Sequence, residues 1–193
     1  MRKLATLTIV TLLLSGAASA GSLNGHPDAW SGWTGSTAFD NGTGLSGYVD
    51  WAVFGPGDFP YSGYSPTAGE LTYAYQVFST GPDAISSFSA AINNPADNVG
   101  AFLDLAGNAA LAMDLIVPGS AEWTFAKIST GGNSEGLAFS SPKVPEWLFG
   151  IIVDGGTYAT VFPLPTPSSV DIPEPGAMAL VAVGGVLMLL RRR

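Results

Sequence analysis

One histidine, no cysteine, fifteen Asp and Glu and seven Lys and Arg bound the chemistry open to this 193-residue chain. Without cysteine there is no thiol nucleophile, no disulfide and no iron–sulfur site. His26 alone cannot complete a typical zinc site, which draws on several histidine or cysteine ligands. Gly132-Asn133-Ser134-Glu135-Gly136 spells G-x-S-x-G, the pattern that raises a nucleophilic serine on a strand-to-helix turn with its acid and histidine further along. Here no apolar helix pattern follows and His26 lies upstream, so the match is one that chance supplies in a chain with 25 glycines. Gly42-Thr43-Gly44-Leu45-Ser46-Gly47 matches G-x-G-x-x-G, but the dinucleotide fingerprint needs a strand before it and a helix after it. A polar loop precedes this one and a strand follows. No catalytic residue, cofactor or metal ligand is assigned.

The acids and the rings leave more open. No carboxylates fall in the D-x-D-x-D-G calcium pattern, although the loop acids Asp40, Asp58 and Asp97 can still meet in space. The competing reading is that they are simply solvated. A glycosidase needs two carboxylates in one cleft; acids are plentiful but no pair stands out. Trp30, Trp33, Phe59, Tyr61 and Tyr64 fall in loop-like segments. Exposed rings there can stack on sugars, with Trp30, Trp33 and Tyr61 as the candidate glycan contacts, or they can fold back over an open end of the fold.

The elements that must position these residues read as strands. Residues 21–47 are rich in Gly, Ser, Asn and Trp and suggest a loop-rich entry with one short strand at most. Period-two alternation then marks 48–54, 70–79, 84–92, 99–105, 121–128, 137–142, 147–153 and 157–162. In 70–79, Leu71, Tyr73, Tyr75 and Val77 share one side; in 121–128, Trp123 and Phe125 point in while Glu122 and Thr124 point out. Residues 70–92 suggest a hairpin, Asp154-Gly155-Gly156 a hairpin turn, and 105–116 permits a helical turn. About eight short strands at this spacing predict a mainly β fold, an antiparallel β-sandwich of immunoglobulin-like or jelly-roll-like kind with one wet face per sheet. The sandwich is expected over 21–162. Residues 163–172, dense in proline, are expected to be an extended linker, because proline is unsuited to a sheet interior.

Both ends differ from the body. Met1-Arg2-Lys3, the apolar run 4–14 and the small residues ending in Ala18-Ser19-Ala20 are the three parts of a secretory signal peptide (1–20), with signal peptidase expected to cut after Ala20. Residues 21–172 hold fourteen acids against Lys127 and Lys143, a net −12, which repels phosphate backbones and argues against nucleic acid. Residues 176–190 are uncharged and would reach about 22 Å as a helix, a short transmembrane span that a bilayer accommodates by thinning. Arg191, Arg192 and Arg193 suit the cytoplasmic side of such a span.

Pro173-Glu174-Pro175, then 176–190, then 191–193, behind a signal peptide, resemble the PEP-CTERM sorting signal of exosortase-processed bacterial proteins. Ile172 stands where that signal usually has valine. The body resembles other secreted PEP-CTERM ectodomains only loosely, through GELTYAYQVF (69–78), and no function is carried over from that. The resemblance implies an exosortase-type membrane protease that cuts at or near Pro173–Pro175. The precursor would sit in the inner membrane, and the product at the cell surface or in the extracellular matrix of a Gram-negative-type bacterium, with exopolysaccharide as a candidate partner. The expectation is an exported, non-enzymatic surface or matrix protein. The alternatives are a secreted carbohydrate-binding module and, behind it, a secreted hydrolase.

Overall fold

The computed structural model describes residues 22–172. The signal peptide, the Pro-Glu-Pro motif, the apolar segment 176–190 and the terminal arginines lie outside the described residues. Ten strands build the rest: β1 (Ala29–Asp40), β2 (Ser46–Phe54), β3 (Leu71–Ser79), β4 (Ile85–Ile92), β5 (Asp97–Phe102), β6 (Ala110–Ile116), β7 (Gly119–Ile128), β8 (Gly136–Ser141), β9 (Lys143–Val153) and β10 (Tyr158–Asp171). They pair antiparallel into two five-stranded sheets, β1-β2-β3-β8-β5 and β10-β9-β4-β7-β6. The fold is mainly β, a sandwich of two antiparallel sheets, as the alternation predicts.

Alternation builds the shared core. Val49, Trp51 and Val53 of β2 and Leu71, Tyr73, Tyr75 and Val77 of β3 meet Phe88, Ala90 and Ile92 of β4 and Trp123 of β7. The Tyr75 ring lies 5.6 Å from Phe88 and 6.2 Å from Trp123, bridging the two sheets. Trp123 and Phe125 point in while Glu122 and Thr124 point out, as expected. The turn at Asp154 also forms: its carboxylate accepts bonds from the N–H groups of Gly156 (2.7 Å) and Thr157 (2.6 Å), and these bonds hold its pKa below the usual range.

Four expectations need correction. Residues 29–40 are a full edge strand rather than loop, because the Gly, Ser and Thr there pair with β2 from Thr34 onward. Residues 110–116 form edge strand β6, with no helical turn. Segment 70–92 is no hairpin: β3 pairs with β2 and β8, while β4 sits in the other sheet beside β7 and β9. A turn signal shows that the chain reverses, not that the two arms stay in one sheet.

The fourth correction concerns the supposed linker. Residues 163–171 are the second half of β10, so the sandwich runs past residue 162. Leu164 and Thr166 are buried there. Pro163, Pro165 and Pro167 recur every second residue, the period at which strand backbone groups point the same way. β10 is an edge, where a missing N–H costs no ladder bond. The carbonyls of those prolines accept bonds from Thr37 Oγ1 (2.6 Å), the Tyr75 hydroxyl and Asn94 Nδ2 (3.0 Å). Through Thr37 of β1 and Tyr75 of β3 the prolines lace the second sheet to the first, and Asn94 adds the connection that follows β4. Lys143 Nζ and Asp171 Oδ1, 2.6 Å apart, tie the end of β10 to the start of β9.

Candidate functional site

The two sheets treat their outer sides differently, and that difference places the aromatic side chains. Across the first sheet Ala52, Ala74, Ala138 and Gly100 stand opposite one another on four successive strands. Small side chains leave a trough. The loop 55–70 lays Phe59, Tyr61 and Tyr64 over this outer side against Phe54 and Phe102, closing a second core with Leu23 and Leu105. Tyr61 stacks on Phe102 at 4.7 Å and 25°, and Phe59 meets Phe102 edge-on at 5.2 Å. His26 packs edge-on against Phe54 (5.1 Å) and Tyr61 (5.7 Å). The expectation of one wet face per sheet therefore fails for the first sheet.

This packing decides the candidate glycan contacts. Tyr61 is only 7% exposed, and burial, with the nearby Asp104 charge second, pushes its pKa up to about 12. Its ring is part of a core. Trp30 and Trp33 pack partly buried against the shared core, with Trp33 at 4.5 Å from Trp147. The three residues do not form one platform. Tyr64 donates its hydroxyl to the Asn98 carbonyl at 2.6 Å; burial raises its pKa to about 12 against a lowering contribution from Ser140.

The other motifs also resolve. Ser134 is fully buried; its hydroxyl accepts from Val77 N–H (3.0 Å) and donates to the Glu135 carbonyl (2.7 Å), so G-x-S-x-G here clasps a loop to β3. The glycine-rich stretch 42–47 joins β1 to β2, organised by Asn41 Oδ1, which accepts from Thr43 and Leu45 N–H. Asp40 caps its own turn at Gly42 N–H, and Asp97 accepts from the Thr67 hydroxyl. Among the described residues no three His, Asp or Glu gather to hold a metal ion.

Among the described residues no such cover lies on the outer side of the second sheet. Register and alternation arrange it in three rows. Tyr158 stands beside Val153, then Ser87, then Thr124; Thr160 beside Ile151, then Ser89, then Glu122. In the third row Phe162 and Phe149 flank the Val161–Gly150 pair, and Ala91 and Ser120 follow. Tyr158 is 66% exposed, Phe162 62% and Phe149 46%. Two shallow hollows adjoin the rings, one of ≈ 420 Å³ lined by Ile151, Val153, Thr157 and Tyr158, the other of ≈ 210 Å³ lined by Ser89, Ala91, Ser120 and Phe149. Neither is lined by a carboxylate. The face is thus apolar and aromatic over β9 and β10 and hydroxyl-bearing over β4 and β7, with the Glu122 carboxylate at the β7 end of the middle row. Phe149 and Val153 are four residues apart, about 13 Å along the strand.

Sequence reasoning sought the rings in loops and missed this face. The signal was present in Trp147-Leu148-Phe149-Gly150-Ile151-Ile152-Val153, which is apolar on both alternating sides. A strand of a two-layer sandwich has only one core-facing side, so the other side was left to explain.

The fold and this face define a class: an all-β sandwich with one covered and one bare, ring-bearing outer face. No protein-family model matches the chain, and no curated protein or solved structure matches it.

Proposed function

We propose that the chain is the precursor of an exported, non-enzymatic cell-surface or matrix protein, sorted through Pro173-Glu174-Pro175 by an exosortase-type protease. The observation that carries this reading is the order of segments: signal-like residues 1–20, a β body, the Pro-Glu-Pro motif, the uncharged run 176–190 and Arg191–Arg193. The body geometry supports it. β10 ends at Asp171, so a cut at the motif leaves both sheets complete. Mass spectrometry of the mature protein tests the sorting. The expected product begins at Gly21 and ends at or near Pro173–Pro175; a mature chain that still carries Arg193 sinks the proposal.

The bare face of the second sheet favours a second, compatible reading, a carbohydrate-binding module for a neutral polysaccharide. Phe149, Tyr158 and Phe162 offer ring faces to the apolar C–H side of pyranoses, and Ser87, Ser89, Ser120 and Thr124 offer hydroxyls to their O–H groups. The named rows hold no Lys or Arg, and the body's net −12 repels acidic polymers. Pull-down of the exported protein on insoluble neutral polysaccharides is the test. Retention that Tyr158→Ala with Phe162→Ala abolishes supports the reading, and retention unchanged by that pair overturns it.

A further inference from the structure

The four sheet edges are not equally protected. β10 carries Pro163, Pro165 and Pro167 and is laced to the first sheet. β1 lies against it, joined through Thr37. β5 is six residues long, has an irregular register between Asp97 and Gly100, and is held by the 55–70 loop, where Asn98 Nδ2 donates to the Ser65 carbonyl at 2.6 Å. β6 is guarded only at its start, where the register shifts between Ala110 and Ala112 and Ala110 N–H donates to Glu135 Oε1 at 2.8 Å; Ala112–Ile116 has neither device among the described residues. Ala110–Ile116 contains no proline and a single charge, Asp114, and pairs on one side only, with β7. Natural edge strands that stay unpaired usually carry such guards.

From this asymmetry we propose that β6 is a self-association edge: β6 of a second copy of this chain adds to it, antiparallel, about a two-fold axis at Met113. Three observations set the partner and the register. Leu115 N–H donates to the carboxylate of its own neighbour Asp114 at 2.9 Å rather than serving the ladder to β7. Met113, two residues away, turns its backbone groups to the same open side. Those groups accept a strand, and pairing replaces the local Asp114 bond with a ladder bond.

Side chains point to the same occupant. Met113 stands opposite Trp123 and so belongs to the core-facing side, yet it is 45% exposed, because the first sheet ends at β5 and leaves β6 overhanging. Leu111, at the register shift between Ala110 and Ala112, is 69% exposed. In the two-fold register Met113 faces Met113 of the second copy, and Leu111 faces its Leu115, so each apolar overhang covers the other. Charge selects this register over its neighbour. Centred on Met113, each Asp114 faces Ala112 of the second copy; centred on Asp114, the two carboxylates would oppose directly, which is destabilising. The contact is isologous and closes as a dimer. It would make the second sheet continuous across two copies and set two bare faces side by side. That consequence rests on the polysaccharide reading; the pairing itself does not.

The test is the mass of the exported protein across a concentration series at ~0.15 M salt, where screening over about 8 Å limits repulsion between two acidic bodies. A dimer is expected. Met113→Lys should return it to the monomer mass, and Val170→Lys, on the opposite edge of that sheet, should not. The chain has no cysteine, so single cysteines report the register. Met113→Cys should cross-link on mild oxidation, because a hydrogen-bonded antiparallel pair is about 5.5 Å apart at Cα, within disulfide reach of about 4.4–6.8 Å. Leu111→Cys should not, since the two copies of that position lie about 14 Å apart along the strands. A monomer at every concentration overturns the proposal. So does a dimer that survives Met113→Lys, or cross-linking through Leu111→Cys as readily as through Met113→Cys. If Met113→Lys fails to fold, the cysteine pair decides alone.

Discussion

The outer side of the first sheet and the outer side of the second both carry aromatic rings, with opposite fates. On the first, Ala52, Ala74, Ala138 and Gly100 form a trough, and Phe59, Tyr61 and Tyr64 sink into it. On the second, the neighbours of Phe149, Tyr158 and Phe162 are Ile151, Val153 and short hydroxyl side chains, and among the described residues no loop returns over them. The first side uses aromatic surface for stability. The second leaves it in water, which costs hydrophobic free energy unless a ligand covers it. Ring content alone therefore says little about binding; the neighbours across the strands decide.

Substitutions can break that comparison, and the largest effect falls on the covered side. Phe102→Ala empties a fully buried site in contact with Phe59 and Tyr61 and should cost about 3–5 kcal/mol by urea denaturation. Equal losses from Phe102→Ala and Phe149→Ala would erase the distinction. Gly100→Ala comes next. A Cβ there would sit 2.6 Å from Tyr64 Cδ2, and a destabilisation of about 1–3 kcal/mol is expected as the ring is displaced. An unchanged unfolding midpoint would mean that Tyr64 is not wedged in the trough.

On the bare side, Tyr158→Ala should shift stability by no more than about 0.5 kcal/mol. Its effect should appear instead in polysaccharide retention, measured on the same sample. A large stability loss without a retention change would make the ring structural.

The smallest effect sharpens the covered side. The Glu70 carboxyl is partly buried, with its Oε2 unpartnered; burial first and the Asp97 charge second raise its pKa above the ordinary 4.5. A raised folded-state value means that the favourable protonated form is fully present below about pH 4.5 and is lost as pH rises through the folded value. Glu70→Gln should thus be slightly more stable than the parent at pH 7, with the gain shrinking as pH falls toward 4. Denaturation midpoints at both pH values check this, and a gain independent of pH would remove Glu70 titration as its source.

The legible and illegible parts of the chain follow one rule. Trp123 and Phe125 could be oriented from alternation alone, and so could the turn at Asp154, because both depend on neighbours within a few residues. The hairpin expected at 70–92 failed, since sheet membership is set by partners such as Ser141, seventy residues from Leu71. Pro163, Pro165 and Pro167 looked like linker because proline weakens a strand in general; the period-two spacing that keeps the ladder side proline-free was visible but unused.

By itself the sequence determined the mainly β class, the inward and outward sides of most strands, the acidic body and the resemblance of its two ends to export and sorting signals. Only the tertiary structure decided which loop rings become core, which strand rings stay bare, and which edge is left open. Periodicity is written into adjacent residues. The cover over a sheet and the partner beside an edge depend on which distant segment arrives there.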